Sequence, residues 1–301
     1  MYYAYMERFK ASIDNLSLIK RDYSLHAASA MGFGGIAEFY SEPRNINELM
    51  EVLEGAYKLN IPVSVLGAGT HTLISDTFVE GIVISTKLLK GVTMKGTLLE
   101  CLPGEMFESV IDKAIEHQLI GMEKLAGIPG TIAGAIMKNR SANGSSISDF
   151  VYFIDIITFS GKLIRTPIYH DTFSSQELKM PEPGIITNIA LRLKASKATA
   201  EAKIRKGMYI EFMFIPPATR FLSQIFKDRK DMSASRILRT LGMDRLEGKA
   251  EFSRYQGNCI FAYPDCTAND VNSLIQLAEK KAKREMRIDL ERSISYLGEF
   301  N

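Results

Sequence analysis

Two glycine-rich stretches hold the residues with the most evident chemistry. Residues 66–76 read LGAGTHTLISD and place Gly67, Ala68, Gly69, Thr70, His71 and Thr72 directly after the apolar run IPVSVL. Residues 121–144 read GMEKLAGIPGTIAGAIMKNRSANG and contain Gly127, Ile128, Pro129, Gly130 and Thr131, then Gly134, Ala135 and Asn139. Glycine removes the side chain where a backbone comes close to another group, Pro129 stiffens the turn, and Thr131 is placed to cap a helix beginning just after it. N–H groups exposed at such a turn suit a phosphate. The same composition serves a tight packing turn inside a core, and composition does not separate the two.

Other chemistries fit less well. The run from Gly67 to Thr72 matches a dinucleotide fingerprint at its first two glycines, but Thr72 stands at the third. A polar turn and a strand come next, not a crossover helix, which disfavours a Rossmann unit. Residues 242–249 approach a P-loop with one residue too many between the glycines, and Ala250 stands where a hydroxyl would hold magnesium, so a nucleoside triphosphatase is rejected. His26, His71, His117 and His170 are scattered, and no metal site is expected.

The 301 residues suggest two or three compact units able to bury a core, with 46% hydrophobic and 24% charged residues. A net charge of +2 does not mark a nucleic-acid binder, and Lys280, Lys281, Lys283, Arg284 and Arg287 read as the solvated face of a helix. Three cysteines without C-x-x-C spacing, and no secretory segment, fit a reducing cytoplasm. No apolar run reaches the ~18 residues of a membrane span.

The elements that must position the glycine turns can be read from periodicity. A short amphipathic helix is expected over residues 5–20, a strand over 36–41, and a helix from the cap Asn45 to Leu59 with Ile46, Leu49, Met50, Leu53 and Ala56 on one face. Strand 61–66 leads into the first glycine turn. GIVIST, KGVTMK and TLLECL, between residues 81 and 101, read as an antiparallel meander. A helix at 105–118 would bury Met106, Val110, Ile111 and Ala114. Strands are expected at 151–159, 162–168 and 185–193, with a long loop at 169–184. The composition shifts near residue 195. A helix at 196–213 ends at Pro216-Pro217, and a second helix spans 232–241. Strands at 250–253 and 259–263 precede a helix capped by Thr267 and Asp270, with Val271, Leu274, Ile275, Leu277 and Ala278 inward, and SISYLG closes the chain.

With these residues laid out, LGAGTHTLISD, GIVIST and GMEKLAGIPGTIAGAIMKN resemble the flavin-binding motifs of the UDP-N-acetylenolpyruvoylglucosamine reductase (MurB) family, usually worded close to LGGGSNLLVSD and GLEFLAGIPGTVGGAVRMN. SQIFKD, GKAEFSRYQGN, a long helix and LERSISYLG continue the likeness across most of the chain. The resemblance implies an α+β fold: an FAD-binding pair of subdomains of the vanillyl-alcohol-oxidase type over residues 1–195, split near 86, then a smaller substrate domain over 196–301. It implies that the two glycine turns clamp the FAD pyrophosphate: Gly67, Ala68, Gly69, Thr70, His71 and Thr72 on one side, and Gly127, Ile128, Pro129, Gly130, Thr131, Gly134, Ala135 and Asn139 on the other. Lys227 and Asp228 would bind substrate. NADPH would be the hydride donor and a UDP-sugar the substrate, in a cytoplasmic monomer without nucleic-acid or membrane partners.

The resemblance fails at three catalytic positions. The family's proton-donating serine, in G-S-x-F-K, falls at Gln224, which is not an acid, and Ser223 stands one residue earlier. In a strand that single step turns Ser223 to the opposite face, and only a bulge would bring it back. The family's glutamate falls at Ser293, with Glu291 two residues away on the same face of a strand, about 7 Å off. Its arginine falls at His170, in Tyr169-His170-Asp171-Thr172. Two readings stay open: a working reductase whose donor and acid have moved onto Ser223, His170 and Glu291, or a flavin-binding scaffold with lost or altered catalysis. A third, an α+β interaction protein without flavin, is distinguished by its visible spectrum.

Overall fold

The computed structural model describes residues 16–169, 171–174, 176–212 and 220–300. In chain order the strands and helices are β1 (Lys20–Ser24), β2 (Ile36–Ser41), α1 (Ile46–Lys58), β3 (Val63–Leu66), β4 (Thr72–Ile74), β5 (Val79–Ser85), β6 (Val92–Lys95) and β7 (Leu98–Cys101). Next come α2 (Phe107–Glu116), β8 (Leu119–Ile120), α3 (Ile132–Met137), β9 (Ser141–Ala142), β10 (Ser145–Ser146), β11 (Val151–Thr158), β12 (Leu163–Pro167), β13 (Gly184–Arg192) and β14 (Lys194–Ala195). The remainder are α4 (Thr199–Phe212), β15 (Arg220–Ser223), α5 (Ala234–Thr240), β16 (Ala250–Phe252), β17 (Cys259–Ala262), α6 (Ala268–Lys281) and β18 (Ser295–Leu297).

These fall into two compact units. The described residues of 16–21, 39–68 and 81–212 form the first, and 22–38, 69–80 and 220–300 form the second. The first unit holds an antiparallel sheet ordered β12-β11-β13-β7-β6. Its main core gathers Phe107, Val110, Ile111, Ile132, Ile154 and Ile189. A second core packs Leu49, Val52, Leu53 and Ala56 of α1 with Ile82 and Ile84 of β5. α4 stays with this unit, past the composition shift near 195. Lys206 pairs with Glu108 at 2.5 Å and Asp112 at 2.6 Å, and Arg205 pairs with Glu123 at 3.0 Å.

In the second unit β15-β17-β16 form an antiparallel sheet, and β4 pairs in parallel with β18, Thr72 opposite Ser295. Its core contains Phe226, Ile237, Leu238, Phe252, Val271 and Ile275. Thr267 caps α6: its hydroxyl oxygen accepts from Asp270 N–H at 3.1 Å, and the Asp270 carboxylate accepts from Thr267 N–H at 3.0 Å. Beyond α6, Arg292 makes a two-pronged pair with Glu279 at 2.5 and 2.8 Å, which fixes the chain entering β18.

Several expectations are corrected. GIVIST is not part of a meander. β5 pairs in parallel with β3, Val63 opposite Ile82 through Leu66 opposite Ser85, while β6 and β7 form a hairpin in the other sheet. The reason is burial: from Gly81 to Ser85 every residue of β5 is buried, as in a strand covered on both faces, whereas β6 alternates. β4 arises where only a turn was expected. α1 buries Val52 and leaves Met50 exposed, and Leu277 of α6 is exposed as well. Met106 is also exposed, because α2 starts at Phe107, after residues 105–107 have been claimed by the second glycine stretch. Residues 16–18 form a single 3₁₀ turn and β1 begins at Lys20, so the helix expected over 5–20 does not reach them. Residues 5–15 and Pro216-Pro217 lie outside the described residues.

A Cβ on Gly104 would sit 2.1 Å from the Thr86 carbonyl oxygen and 2.8 Å from that of Leu89, so Gly104→Ala should cost at least about 2 kcal/mol in urea unfolding. The Thr267 backbone and hydroxyl hydrogen bonds hold the Asp270 carboxyl below its ordinary value of 3.8. A depressed carboxylate stabilises the fold above the unfolded value and loses that contribution as pH falls through the folded one. Stability measured from about pH 5 down to pH 2 should therefore fall less steeply in Asp270→Asn than in the parent chain.

Candidate functional site

The second glycine stretch is built against the start of α2. Phe107 N–H donates to the Gly130 carbonyl at 2.9 Å, and Ile132 N–H donates to the Glu105 carbonyl at 2.9 Å. This isolated antiparallel bridge pairs Met106 with Thr131 and points the Thr131 N–H away from its partner strand. Gly127 at φ +83° and Gly130 at φ +110° hold backbone conformations that side chains resist. Gly127 N–H donates to Glu108 Oε2 at 3.0 Å. The Thr131 hydroxyl accepts from Gly134 N–H at 3.3 Å and caps α3, as expected. A carboxylate buried beneath the bridge, that of Glu105, takes Gly91 N–H at 3.0 Å and Lys113 Nζ at 3.1 Å.

Gly67 meets this turn from the end of β3. A Cβ there would lie 2.7 Å from Thr131 Oγ1. Gly67 and the 127–131 turn thus come together within the first unit, packed closely enough that Gly67 has no space for an added side chain. A glycine-rich turn ahead of a helix is of the kind that suits a pyrophosphate held by N–H groups, although the Gly127 N–H is already taken by Glu108. Ile128 and Ala135 are buried in the core behind it. Asn139, at φ +40°, donates to the Ser174 carbonyl at 3.2 Å and accepts from Ser148 N–H at 3.3 Å. Its side chain is committed to Ser148, ahead of β11, and to the loop after β12, not to the turn.

The rest of the first glycine stretch does different work, in the second unit. Gly69, at φ +72°, would bring a Cβ within 2.8 Å of the Ala28 carbonyl oxygen, so it is required for packing. The Thr70 carbonyl accepts from both Ser223 N–H, at 3.0 Å, and the Ser223 hydroxyl, at 3.2 Å. Thr72 opens β4. His71 Nδ1 lies 2.7 Å from the Ser223 carbonyl oxygen, and Nε2 lies 3.0 Å from that of Ser293. Its ring is turned toward the positions expected to be catalytic.

At those positions Ser223 ends β15 without a bulge, buried, its hydroxyl spent on Thr70. It is therefore not presented as a replacement donor. Gln224 follows at φ +51°, which breaks the strand alternation. Asn258 pins the next turn, accepting from Phe226 N–H at 3.0 Å and donating to the Phe226 carbonyl at 2.8 Å. Glu291 does not reach toward Ser293. Its side chain is 71% exposed and pairs with Lys227. Asp228 accepts from Ala234 N–H at 2.8 Å and stabilises the first turn of α5. Ser293 is buried, its hydroxyl 3.3 Å from His71 Nε2. His170 lies outside the described residues. The structure thus gathers His71, Ser223 and Ser293, and pairs Lys227 with Glu291. The tie through His71 and the pin at Asn258 left no signal in the sequence.

Comparison with known proteins agrees with this layout. Residues 37–167 match the model of the FAD binding domain, and residues 216–297 match that of the UDP-N-acetylenolpyruvoylglucosamine reductase C-terminal domain. The chain is 28% identical over 285 residues to the UDP-N-acetylenolpyruvoylglucosamine reductase of Prochlorococcus marinus, covering 93% of this chain and 98% of that one. It is 27% identical over 288 residues to that of Aquifex aeolicus, covering 93% and 95%. The crystal structure of the Thermus caldophilus reductase (MurB) shares the fold, with a TM-score of 0.79 at 23% identity over 93% of this chain and 99% of that one. The expected α+β architecture, an FAD-binding domain ahead of a smaller C-terminal domain, stands. Both halves match in order and over nearly full length, and the chain belongs to the UDP-N-acetylenolpyruvoylglucosamine reductase (MurB) family.

Proposed function

We propose that the protein reduces UDP-N-acetylglucosamine enolpyruvate to UDP-N-acetylmuramate, using FAD and NADPH, in the synthesis of peptidoglycan precursors. The observation that carries this reading is the succession of an FAD binding domain and a reductase C-terminal domain in one chain. Bound FAD would relay a hydride from NADPH to the enolpyruvyl double bond. The chain's own tasks are to hold the pyrophosphate at Gly67 and at Gly127 to Thr131, to orient the sugar nucleotide, and to deliver one proton. Lys227 would supply the cation for an anionic substrate group on exchanging its pairing with Glu291. With Gln224 not an acid and Ser223 committed to Thr70, Ser293 beside His71 is the hydroxyl at these positions that still faces a titratable ring. We place the reaction in the cytoplasm, where NADPH and sugar nucleotides are held, and read the protein as a monomer without membrane or nucleic-acid partners. Among the described residues no helix is long and apolar enough to cross a membrane.

The commitment of Ser223 favours a second reading, a flavoprotein of this family with lost or altered catalysis. One experiment separates the two. Purified protein should show a bound-flavin spectrum, bleach on addition of NADPH, and recover its colour with UDP-N-acetylglucosamine enolpyruvate. Bleaching without recovery favours the second reading, and a colourless protein that cannot be loaded with FAD defeats both. Gly67→Val should lower flavin occupancy at least ~10-fold and also lower the thermal unfolding midpoint, because its Cβ would lie 2.7 Å from the Thr131 hydroxyl that caps α3. Light scattering should give about the chain mass of 33.6 kDa if the protein is a monomer.

A further inference from the structure

His71 sits where three segments of the second unit are laced together by backbone hydrogen bonds. Ser223 N–H donates to the Thr70 carbonyl at 3.0 Å, and Ser295 N–H donates to the His71 carbonyl at 3.0 Å. Ser293 N–H donates to the Ile225 carbonyl at 2.8 Å, and Lys227 N–H donates to the Glu291 carbonyl at 2.8 Å. The imidazole spans this arrangement from inside, Nδ1 at 2.7 Å from the Ser223 carbonyl oxygen and Nε2 at 3.0 Å from that of Ser293. Carbonyl oxygens only accept. A neutral ring with its proton on Nδ1 donates to Ser223 and receives the Ser293 hydroxyl at Nε2, 3.3 Å away, one with its proton on Nε2 donates to the Ser293 carbonyl, and a protonated ring donates to both carbonyls. The first and the last of these states join the same two segments.

We infer that His71 is a positioning residue for the reduction: its ring ties the Ser223 carbonyl to Ser293 and sets the distance between Gln224 and Ser293. Those two residues occupy the places of the family's proton donor and glutamate. The backbone at Gln224 is held at φ +51° immediately beyond the tied carbonyl, so a shift of that carbonyl re-aims the Gln224 side chain. A side chain lacking ring nitrogens releases the Ser223 carbonyl from Ser293 and leaves the spacing to the two backbone bonds alone. This deepens the proposed reaction and rests on it for the consequence in rate. The tie itself rests on the hydrogen-bond geometry.

The test uses the full chain, loaded with FAD, with His71→Ala and His71→Gln. Amide hydrogen exchange of peptides covering residues 223–227 and 291–295 reads the tie without reference to activity, and the peptide from α6 is the internal reference. His71→Ala should speed exchange at Lys227 and Ser293 at least ~10-fold with α6 unchanged, and His71→Gln, which can donate to one carbonyl, should fall between Ala and the parent. In steady state, kcat should drop ~10- to 100-fold in His71→Ala, with KM for NADPH changed by less than ~2-fold. Unchanged exchange in both peptides overturns the inference. So does acceleration that extends equally to α6, which marks a general loss of stability, and so does faster exchange with an unaltered kcat. Where His71→Ala does not fold, the same criteria apply to His71→Gln. A parent protein that bleaches but does not turn over defeats the proposed reaction, and the exchange result still decides the tie.

Discussion

A buried carboxylate governs the first unit. Glu105 is almost wholly enclosed, and an enclosed charge is tolerable only when its oxygens are satisfied. Gly91 N–H and Lys113 Nζ satisfy them, while the Glu105 backbone carbonyl receives Ile132 N–H from the glycine turn. One residue thus fastens the loop before β6, the body of α2 and the far end of the 127–131 turn. Gly104, beside it, is pressed against the Thr86 and Leu89 carbonyls, which leaves that junction little freedom to move. The close contact of Gly67 with Thr131 inherits its shape from this junction. A turn that is to hold a phosphate must keep its N–H directions fixed, and around 127–131 an ion pair and two backbone bonds supply that rigidity.

The glycine stretches that look alike in sequence separate in structure. Gly67 makes way for the Thr131 hydroxyl, whereas Gly69 lets two backbones touch near Ala28. Both roles ask for the same residue, so composition could not divide them. Local features were legible: the Asn45 cap of α1, the Thr131 cap of α3, the Thr267–Asp270 box and the hairpin at Gly161 all depend on neighbours a few residues apart. The partner of β5 was not, because GIVIST is equally apolar in a meander or beside β3, and burial on both faces decides it. β4 has three residues and no pattern of its own, and it exists because β18 pairs with it.

The positions expected to be catalytic show the same limit. Counting along the motif placed departures at Gln224 and Ser293, but where Ser223 and Glu291 point depends on contacts far along the chain. Ser223 turns to Thr70 and Glu291 turns to Lys227. The side chain that links the two positions, His71, lies in a motif that resemblance assigned to cofactor binding. Its hydrogen bonds run to residues 152 and 222 positions away, a separation at which a single sequence carries no trace of contact.

The second unit is discontinuous, and this sets what can be cut from the protein. Met31, Phe33 and Leu73 belong to its core together with Phe226 and Ile237, and they come from the stretches 22–38 and 69–80. A fragment that begins at residue 216, where the reductase C-terminal model starts, would lack all three side chains. It would also leave Ser295–Leu297 without β4, an unpaired edge open to another chain. The stretch that sequence families recognise as a domain is therefore smaller than the piece that folds. Grafting or exchanging the C-terminal half between relatives requires carrying the two short upstream segments with it.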